Sequence, residues 1–278
     1  MPRTFTPLGA AGGLPGAAAE PPIDPAWQPW LDLLGVVLDE ASDPRWAEIA
    51  PSSGERAEGA PLLHGVTARL DARRAARLVR RLAERVGIVT ADKITPVELI
   101  RAALERDDPA IARIAEHVAA SHGALTVLAQ LAAMPLLHAA ARALGARVPT
   151  AWQRGYCPVC GAWPSLVEMR GIERERRLRC GCCGTDWRLP VLRCAFCGEL
   201  DHHLLGSLLP EGDEQRRRIE TCESCHGYLK VVMTLGALSP HVLAFQDLAT
   251  VHLDLAAQER GYSRPSSAGW PLRMGLVA

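Results

Sequence analysis

The chain has 278 residues, of which 48% are hydrophobic and 22% are charged. This composition is typical of a folded protein with a sizeable core, and it excludes a disordered or low-complexity chain. Lysine plus arginine and aspartate plus glutamate both total 31, so no net field attracts the chain to nucleic acid or to an anionic membrane.

The N-terminal residues 1–24 are predicted to form a disordered arm. Residues 1–20 are rich in glycine, alanine and proline, and they lack the apolar stretch of a secretory signal peptide. Together with the cysteine pattern described below, this favours a cytoplasmic location.

Residues 25–147 are predicted to form a bundle of about five helices. Residues 27–38 and 62–86 have apolar side chains at helical spacing. Thr95, Pro96 and Glu98 predict a helix start with a capping box. Asp108 followed by proline predicts another start, and that helix is expected to end near Gly123.

Residues 124–144 are long and apolar enough to raise the question of a membrane span. We predict a buried helix instead, kinked at its proline and ended by Gly145, because four of its residues are costly at bilayer depth. These four residues are Gln130, Pro135, His138 and Arg142.

All nine cysteines lie between residues 157 and 225. Eight of them form C-x-x-C pairs: Cys157/Cys160, Cys180/Cys183, Cys194/Cys197 and Cys222/Cys225. Such a pair lets one tight turn direct two thiolates at one ion, and two turns supply the four sulfurs of a tetrahedral site. The eight cysteines are therefore predicted to bind two metal ions.

The spacing supports this interpretation but leaves the pairing open. Pairing neighbours in sequence gives one site with zinc-ribbon spacing and a second that is slightly longer, whereas an interleaved pairing would use the same ligands. A residue with positive φ is needed after the second cysteine, and Gly161, Gly184 and Gly198 occupy that place in three pairs. The fourth pair has His226 there.

Four thiolates suit zinc and iron alike, and they leave no open position for a substrate. The ions are therefore expected to hold a fold too small for its own core. We find no catalytic motif and predict that the protein is not an enzyme. Cys182 is expected to be a free thiol, and His202 and His203 to be surface histidines. The arginine-rich runs at 170–179 and 216–218 are interpreted as solvated strands.

The cysteine motifs resemble those of the formate dehydrogenase accessory protein FdhE family. The run from Tyr156 to Gly161 is similar to the first knuckle of that family. Residues 178–187 resemble its second and residues 220–230 its fourth, including Tyr228-Leu229-Lys230. A tail pattern also agrees, with Asp247-Leu248-Ala249-Thr250 followed by Leu253-Asp254. Residues 268–271 depart from the family, which often ends in Asn-Pro-Phe.

The resemblance implies a cytoplasmic maturation factor that binds the catalytic subunit of a respiratory formate dehydrogenase and supports its assembly. It also implies rubredoxin-like metal sites, favours iron over zinc, and points to a homodimer. The alternatives are a redox protein that acts on the client's cofactor through iron-thiolate sites, and a nucleic-acid-binding zinc-ribbon protein. The balanced charge argues against the latter.

The predicted fold class is α+β. An N-terminal helical bundle follows the arm, and residues 150–232 form a double tetracysteine module of rubredoxin-like or zinc-ribbon knuckles. Residues 233–278 supply a C-terminal helix, at 245–259, and a loop-like tail. Neither nucleic acid nor membrane insertion is expected.

Overall fold

The structure is a computed structural model that describes residues 25–50, 56–88, 90–210 and 216–277. The predicted arm lies outside the described residues. Helices dominate the first half of the chain, and a sheet that carries the cysteines dominates the second half. The predicted α+β fold class is confirmed.

Five α-helices precede the cysteines within the described part of the chain. They are α1 (Gln28–Ala41), α2 (Ala72–Arg85), α3 (Pro96–Glu105), α4 (Asp108–His117) and α5 (His122–Leu144). α5 is the central helix, because α1, α2, α3 and α4 all pack against it. Most of its residues are buried, including Pro135 inside the helix.

The starts predicted for α3 and α4 are correct to within a residue, but their caps differ. α3 begins at Pro96, as expected, yet the Thr95 side chain makes no capping hydrogen bond. The cap of α4 is Asp107 rather than Asp108, because the Asp107 side chain accepts from the Ala110 N–H.

The predicted end of α4 near Gly123 is wrong. The helix stops at His117, and Ala119 then adopts a left-handed conformation with φ of 51°. Ser121 caps the next helix by accepting a hydrogen bond from the Ala124 N–H at 3.2 Å. A left-handed residue directly after a helix ends it, so the chain reverses before the glycine is reached.

The helical assignment of residues 62–71 is also wrong. Thr67–Leu70 forms strand β2, which pairs antiparallel with β1 (Ala47–Ala50). On its other side β2 pairs parallel with β9 (Gly275–Val277), a strand within the tail predicted as a loop. Exposed and buried residues alternate along β2, which is the period of a strand and not of a helix.

The cysteine-containing half forms one six-stranded sheet. Its strands are β3 (Leu166–Arg170), β4 (Glu175–Arg179), β5 (Asp186–Arg188), β6 (Leu205–Leu208), β7 (Arg217–Cys222) and β8 (Tyr228–Thr234). Their order is β5-β4-β3-β8-β7-β6. Each half is an antiparallel ribbon of three consecutive strands, and the parallel pair β3–β8 joins the two ribbons.

The predicted C-terminal helix is two helices, α6 (Pro240–Ala249) and α7 (Val251–Glu259). They meet at the buried Thr250, whose hydroxyl donates to the Gln246 carbonyl at 2.6 Å. A threonine that bonds back to the preceding turn bends a helix. The two helices pack back onto the fold as expected, α6 against α1 and α7 against β7 and β8.

One hydrophobic core continues from the helices into the sheet. Its buried members include Leu128 of α5, Val167 of β3, Leu178 of β4 and the first-ribbon thiols of Cys157 and Cys180. The metal module is thus anchored on the helical part, and the predicted domain boundaries stay predictions.

Among the described residues, α5 together with the 3₁₀ turn that follows it spans His122–Arg147 and is long and apolar enough to cross a membrane. Of its most apolar stretch, 72% is buried inside the protein. A core helix of a soluble protein has the same properties. This burial supports the prediction of a buried helix.

A buried lysine fastens the two C-terminal helices to the sheet. Lys230 of β8 is only 1% exposed, and its Nζ lies 2.7 Å from Asp247 Oδ1 and 2.6 Å from Asp254 Oδ2. Tyr228 donates to the other Asp254 oxygen at 2.8 Å, and Arg264 donates to that same oxygen at 3.0 Å. A charge removed from water is tolerated only when it is paired in this way.

We predict that Lys230→Met lowers the free energy of unfolding by about 2–3 kcal/mol, because it removes the buried cation that two partly exposed carboxylates share and leaves them only the more distant Arg264. Urea denaturation measures the change. The matched control is Arg188→Met, since Arg188 is 74% exposed beside Glu175 and such pairs contribute less than about 1 kcal/mol. Equal losses in the two variants would contradict this assignment.

Candidate metal centres

The four C-x-x-C pairs share one backbone turn. In each, the N–H of the first cysteine donates to the carbonyl five residues later, at 2.8 Å, 2.9 Å, 2.9 Å and 3.0 Å in chain order. The residue after the second cysteine is left-handed in all four. Gly161, Gly184 and Gly198 have φ of 74°, 75° and 82°, and His226 has φ of 52°. The positive φ predicted for the three glycines therefore occurs in the fourth turn as well.

The turns bring the thiols together in two groups of four. Cys157, Cys160, Cys180 and Cys183 form site 1, and Cys194, Cys197, Cys222 and Cys225 form site 2. Neighbours in sequence therefore pair, and the interleaved arrangement is absent from these two groups. In each ribbon one knuckle precedes the first strand and the other lies between the second and third strands, which is a zinc-ribbon arrangement.

The sulfur separations match the requirements of a metal ion. The Sγ atoms lie 3.5 Å apart in Cys157–Cys183 and in Cys160–Cys180, and 3.7 Å apart in Cys194–Cys225 and in Cys197–Cys222. Four thiolates at 2.3 Å around a tetrahedral ion would be separated by about 3.8 Å. All nine cysteines are free, and a disulfide would need about 2.05 Å. Both groups can therefore hold a metal ion; the ligand roles of the individual cysteines stay predictions.

Burial and close packing shift the pKa values of thiols at both sites. Burial raises the pKa of Cys157 well above its ordinary value, and the neighbouring Cys157 thiol does the same to the pKa of Cys160. At site 2, burial raises the pKa of Cys194 to about 11. Four thiolates repel one another without a cation between them, so binding of an ion must displace protons. Four thiolates fit zinc and iron equally, and neither is distinguished by this geometry.

The two sites differ in their access to solvent. At site 1 the four cysteines are between 0% and 6% exposed. At site 2 Cys197 is exposed and Cys225 is half-buried. Site 1 therefore lies inside the common core, and site 2 opens to the surface.

Comparison with known proteins identifies this half of the chain. Residues 192–269 match the family model described as FdhE, C-terminal domain. The Protein FdhE homolog of Aquifex aeolicus (strain VF5) is 35% identical over 114 residues, which cover 40% of this chain and 40% of the relative. Protein FdhE of Escherichia coli O127:H6 is 35% identical over 127 residues, or 44% of this chain and 39% of the relative. This C-terminal part of the chain is thus similar to FdhE proteins.

The resemblance drawn from the cysteine motifs is thereby confirmed. The match spans about two fifths of the length of these curated relatives. The crystal structure of the FdhE protein from Pseudomonas aeruginosa superimposes with a TM-score of 0.46 at 24% identity, over 91% of this chain and 81% of that one.

The tail motifs of the FdhE resemblance have a structural explanation. Tyr228 and Lys230 come from the fourth knuckle motif, and Asp247 and Asp254 come from the tail motif. These are the residues of the buried lysine network. The two motifs therefore meet in space, and both serve to hold α6 and α7 on the second ribbon.

An aromatic cluster that the sequence did not reveal links the knuckles to the tail. Trp163 follows the first knuckle, and its ring meets that of Phe196 in the third knuckle edge to face at 5.3 Å. Trp270, in the segment that departs from the FdhE tail pattern, donates its backbone N–H to the Gly161 carbonyl at 3.0 Å. The aromatic spacing in sequence gave no periodic signal, because these residues come from three separate loops.

The interpretation of the arginine-rich runs as solvated strands is wrong for three residues. Arg176, Arg179 and Arg217 are at most 9% exposed. Arg179 lies 2.6 Å from the fully buried Glu168, and Arg176 lies 2.7 Å from Glu220. β4 and β7 each lie between two other strands of the sheet, and a buried charge is tolerated when it is paired, so Arg176 and Arg179 pair inside the protein. This removes three of the cations that motivated the nucleic-acid alternative.

The remaining residues of interest agree with expectation in part. Cys182 is free and half-buried, and His202 and His203 are exposed.

His138 of α5 is buried against the second knuckle, where a Cβ on Gly184 would lie 2.9 Å from its Cε1. Burial lowers the pKa of His138 to about 4, so its imidazole is neutral at physiological pH.

We predict that Gly184→Ala weakens retention of the ion at site 1 and costs about 1–3 kcal/mol more than Gly171→Ala. Both glycines have φ above 70°, so both variants pay the same backbone strain of about 1–2 kcal/mol. Only Gly184 has the buried His138 ring against it, whereas Gly171 has open space, and overpacking a filled site adds the difference. Thermal unfolding and metal content after dialysis measure both effects, and indistinguishable variants would refute the crowding argument.

We also predict that a chelator removes the two ions in two phases. Site 2 should lose its ion first because Cys197 is exposed. Cys222→Ser should leave about one ion per chain and only the slow phase, and Cys157→Ser should leave only the fast phase. Release of the ions to a chromogenic chelator gives the two rates, and elemental analysis gives the number of ions per chain. A single rate for both ions, or an unchanged metal content in either variant, would overturn the ligand assignment.

Proposed function

We propose that the protein is a cytoplasmic accessory factor for a respiratory formate dehydrogenase. It binds the catalytic subunit and supports assembly of that subunit into active enzyme, without catalysing formate oxidation itself. The observation that carries the proposal is the FdhE C-terminal domain at residues 192–269, which contains site 2 and the two helices fastened to it.

The metal chemistry supports a binding role over an enzymatic one. A four-thiolate site has no open position at which a substrate could be polarised. The ions would instead hold together ribbons whose strands are three to seven residues long. Iron is favoured over zinc by the family resemblance, and two ions per chain are expected.

The second ribbon also carries exposed apolar side chains suited to a protein partner. Leu192 and Leu200 flank the third knuckle and are 60% and 65% exposed, Val191 is 51% exposed, and Leu209 beyond β6 is 59% exposed. Exposed apolar residues concentrated in one part of a soluble protein mark an interaction site. We therefore assign the client contact to this ribbon.

The test is co-purification of the formate dehydrogenase catalytic subunit with tagged variants of the chain, paired with enzyme activity in a strain that lacks the gene. We expect Leu192→Asp with Leu200→Asp to lose both the client and the activity. Ile172→Asp is the matched control, because Ile172 is 93% exposed but lies in the β3–β4 turn of the first ribbon. Full activity in the deletion strain would refute the accessory function, and retention of the client by the double variant would refute only its surface.

The exposure of Cys197 favours one second candidate, a redox protein acting on the client's cofactor. Iron in a tetrathiolate exchanges one electron and zinc does not, and site 2 is accessible to a partner. Visible thiolate-to-iron bands that bleach with dithionite are expected in that case. A colourless, zinc-loaded protein that fully supports maturation would rule it out.

A further inference from the structure

A third group of metal-ligating side chains lies outside both tetrathiolate sites. Asp201, His202 and His203 place one carboxylate oxygen and two ring nitrogens within 4.8 Å of one another. All three are exposed, with side-chain exposures of 51% for Asp201 and 66% for His202. The sequence offers His202 and His203 as alternative metal ligands but favours surface histidines, because eight cysteines already fill two sites; it does not show that their rings converge with the carboxylate.

The local backbone holds this triad in place. His202–Leu204 forms a 3₁₀ turn, and Asp201 caps it by accepting from the His203 N–H at 3.0 Å. The two imidazole rings lie 3.9 Å apart between centroids with an interplanar angle of 38°. The capping oxygen, Asp201 Oδ1, also lies 3.9 Å from His202 Nδ1, and a carboxylate oxygen has lone pairs for more than one partner.

The turn is itself fixed to the second ribbon at both ends. The Asp201 N–H donates to Glu199 at 2.9 Å, and the same glutamate accepts from the Ser224 hydroxyl of the fourth knuckle at 2.6 Å. On the other side, the Leu204 carbonyl accepts from the Glu223 N–H at 2.8 Å. The backbone that carries the three ligands is therefore held in advance of binding, which lowers the entropic cost of capturing an ion.

We propose that Asp201, His202 and His203 bind one exchangeable divalent transition-metal ion at a third site. Two imidazoles and a carboxylate suit borderline ions such as zinc, cobalt and nickel, and they lack the soft thiolates that define sites 1 and 2. Three protein ligands leave at least one coordination position for water or for a group from a partner. This site is thus open and replaceable, whereas the tetrathiolate sites are closed and hold the fold.

The experiment uses the full chain without a histidine tag, purified with two zinc ions in its tetrathiolate sites. Cobalt(II) is added, and binding is followed by equilibrium dialysis and by the visible spectrum. We expect one cobalt per chain, with weak d–d bands and no sulfur-to-cobalt charge transfer, because the ligands are nitrogen and oxygen. His202→Gln and His203→Gln should each weaken this binding at least about tenfold, the loss that removing even a supporting partner of a ligand causes.

Two further variants separate the site from its surroundings. Asp201→Asn keeps an oxygen to cap the turn but removes the charge, so it should weaken cobalt binding while the two zinc ions stay in place. His252→Gln removes an exposed histidine of α7 and should change nothing. No bound cobalt, cobalt with sulfur charge-transfer bands, or cobalt binding that survives both His202→Gln and His203→Gln would each overturn the proposal.

Discussion

The second half of the fold depends on one backbone constraint, which is the left-handed residue that closes each C-x-x-C turn. With that residue in place, the N–H of the first cysteine reaches a carbonyl five residues on, and both thiols point to one side. Glycine adopts this conformation freely, whereas a residue with a Cβ pays for it. His226 accepts that cost in the fourth turn, where Gly227 follows and a Cβ would lie 2.5 Å from the Phe196 ring. The fourth turn therefore has its glycine one position later than the other three turns, at residue 227, because the Phe196 ring leaves no room there for a Cβ.

The sheet follows from these turns. Each ribbon has a knuckle at the start of its first strand and another between its second and third strands, so an ion fixes three short strands in one register. The parallel β3–β8 pair then joins the ribbons, and both of these strands are buried along most of their length. Burial on both faces explains why the charged residues of these strands are paired: Glu168 with Arg179, and Lys230 with Asp247 and Asp254. Such pairs contribute little net stability. They disfavour any other strand register, because a shifted register would leave the same charges buried without their partners.

The features that could be predicted from the sequence are those set by neighbours in the chain. The knuckle turns depend on about six consecutive residues, and the start of α3 depends on Pro96 at its first position. What escaped prediction depends on distant partners. β2 needs β9, some two hundred residues away, and its four residues fitted a helical stripe when read alone. Arg176 and Arg179 looked solvated because Glu220 and Glu168 lie on other strands, and the pairing of the knuckles stayed open for the same reason.

The difference between the two tetrathiolate sites connects the fold to the proposed function. Site 1 shares its core with α5, so an ion bound there would join the helical half to the sheet without contacting another molecule. Site 2 has an exposed thiol and exposed leucines before and after its third knuckle. It also lies in the residues that match the FdhE C-terminal domain. A partner that docks there would cover apolar surface and shield the accessible thiolate from solvent in the same step. Binding of the proposed client would therefore change the environment of an ion at site 2 and leave that of site 1 unaltered, so the two sites can play different parts in the proposed function.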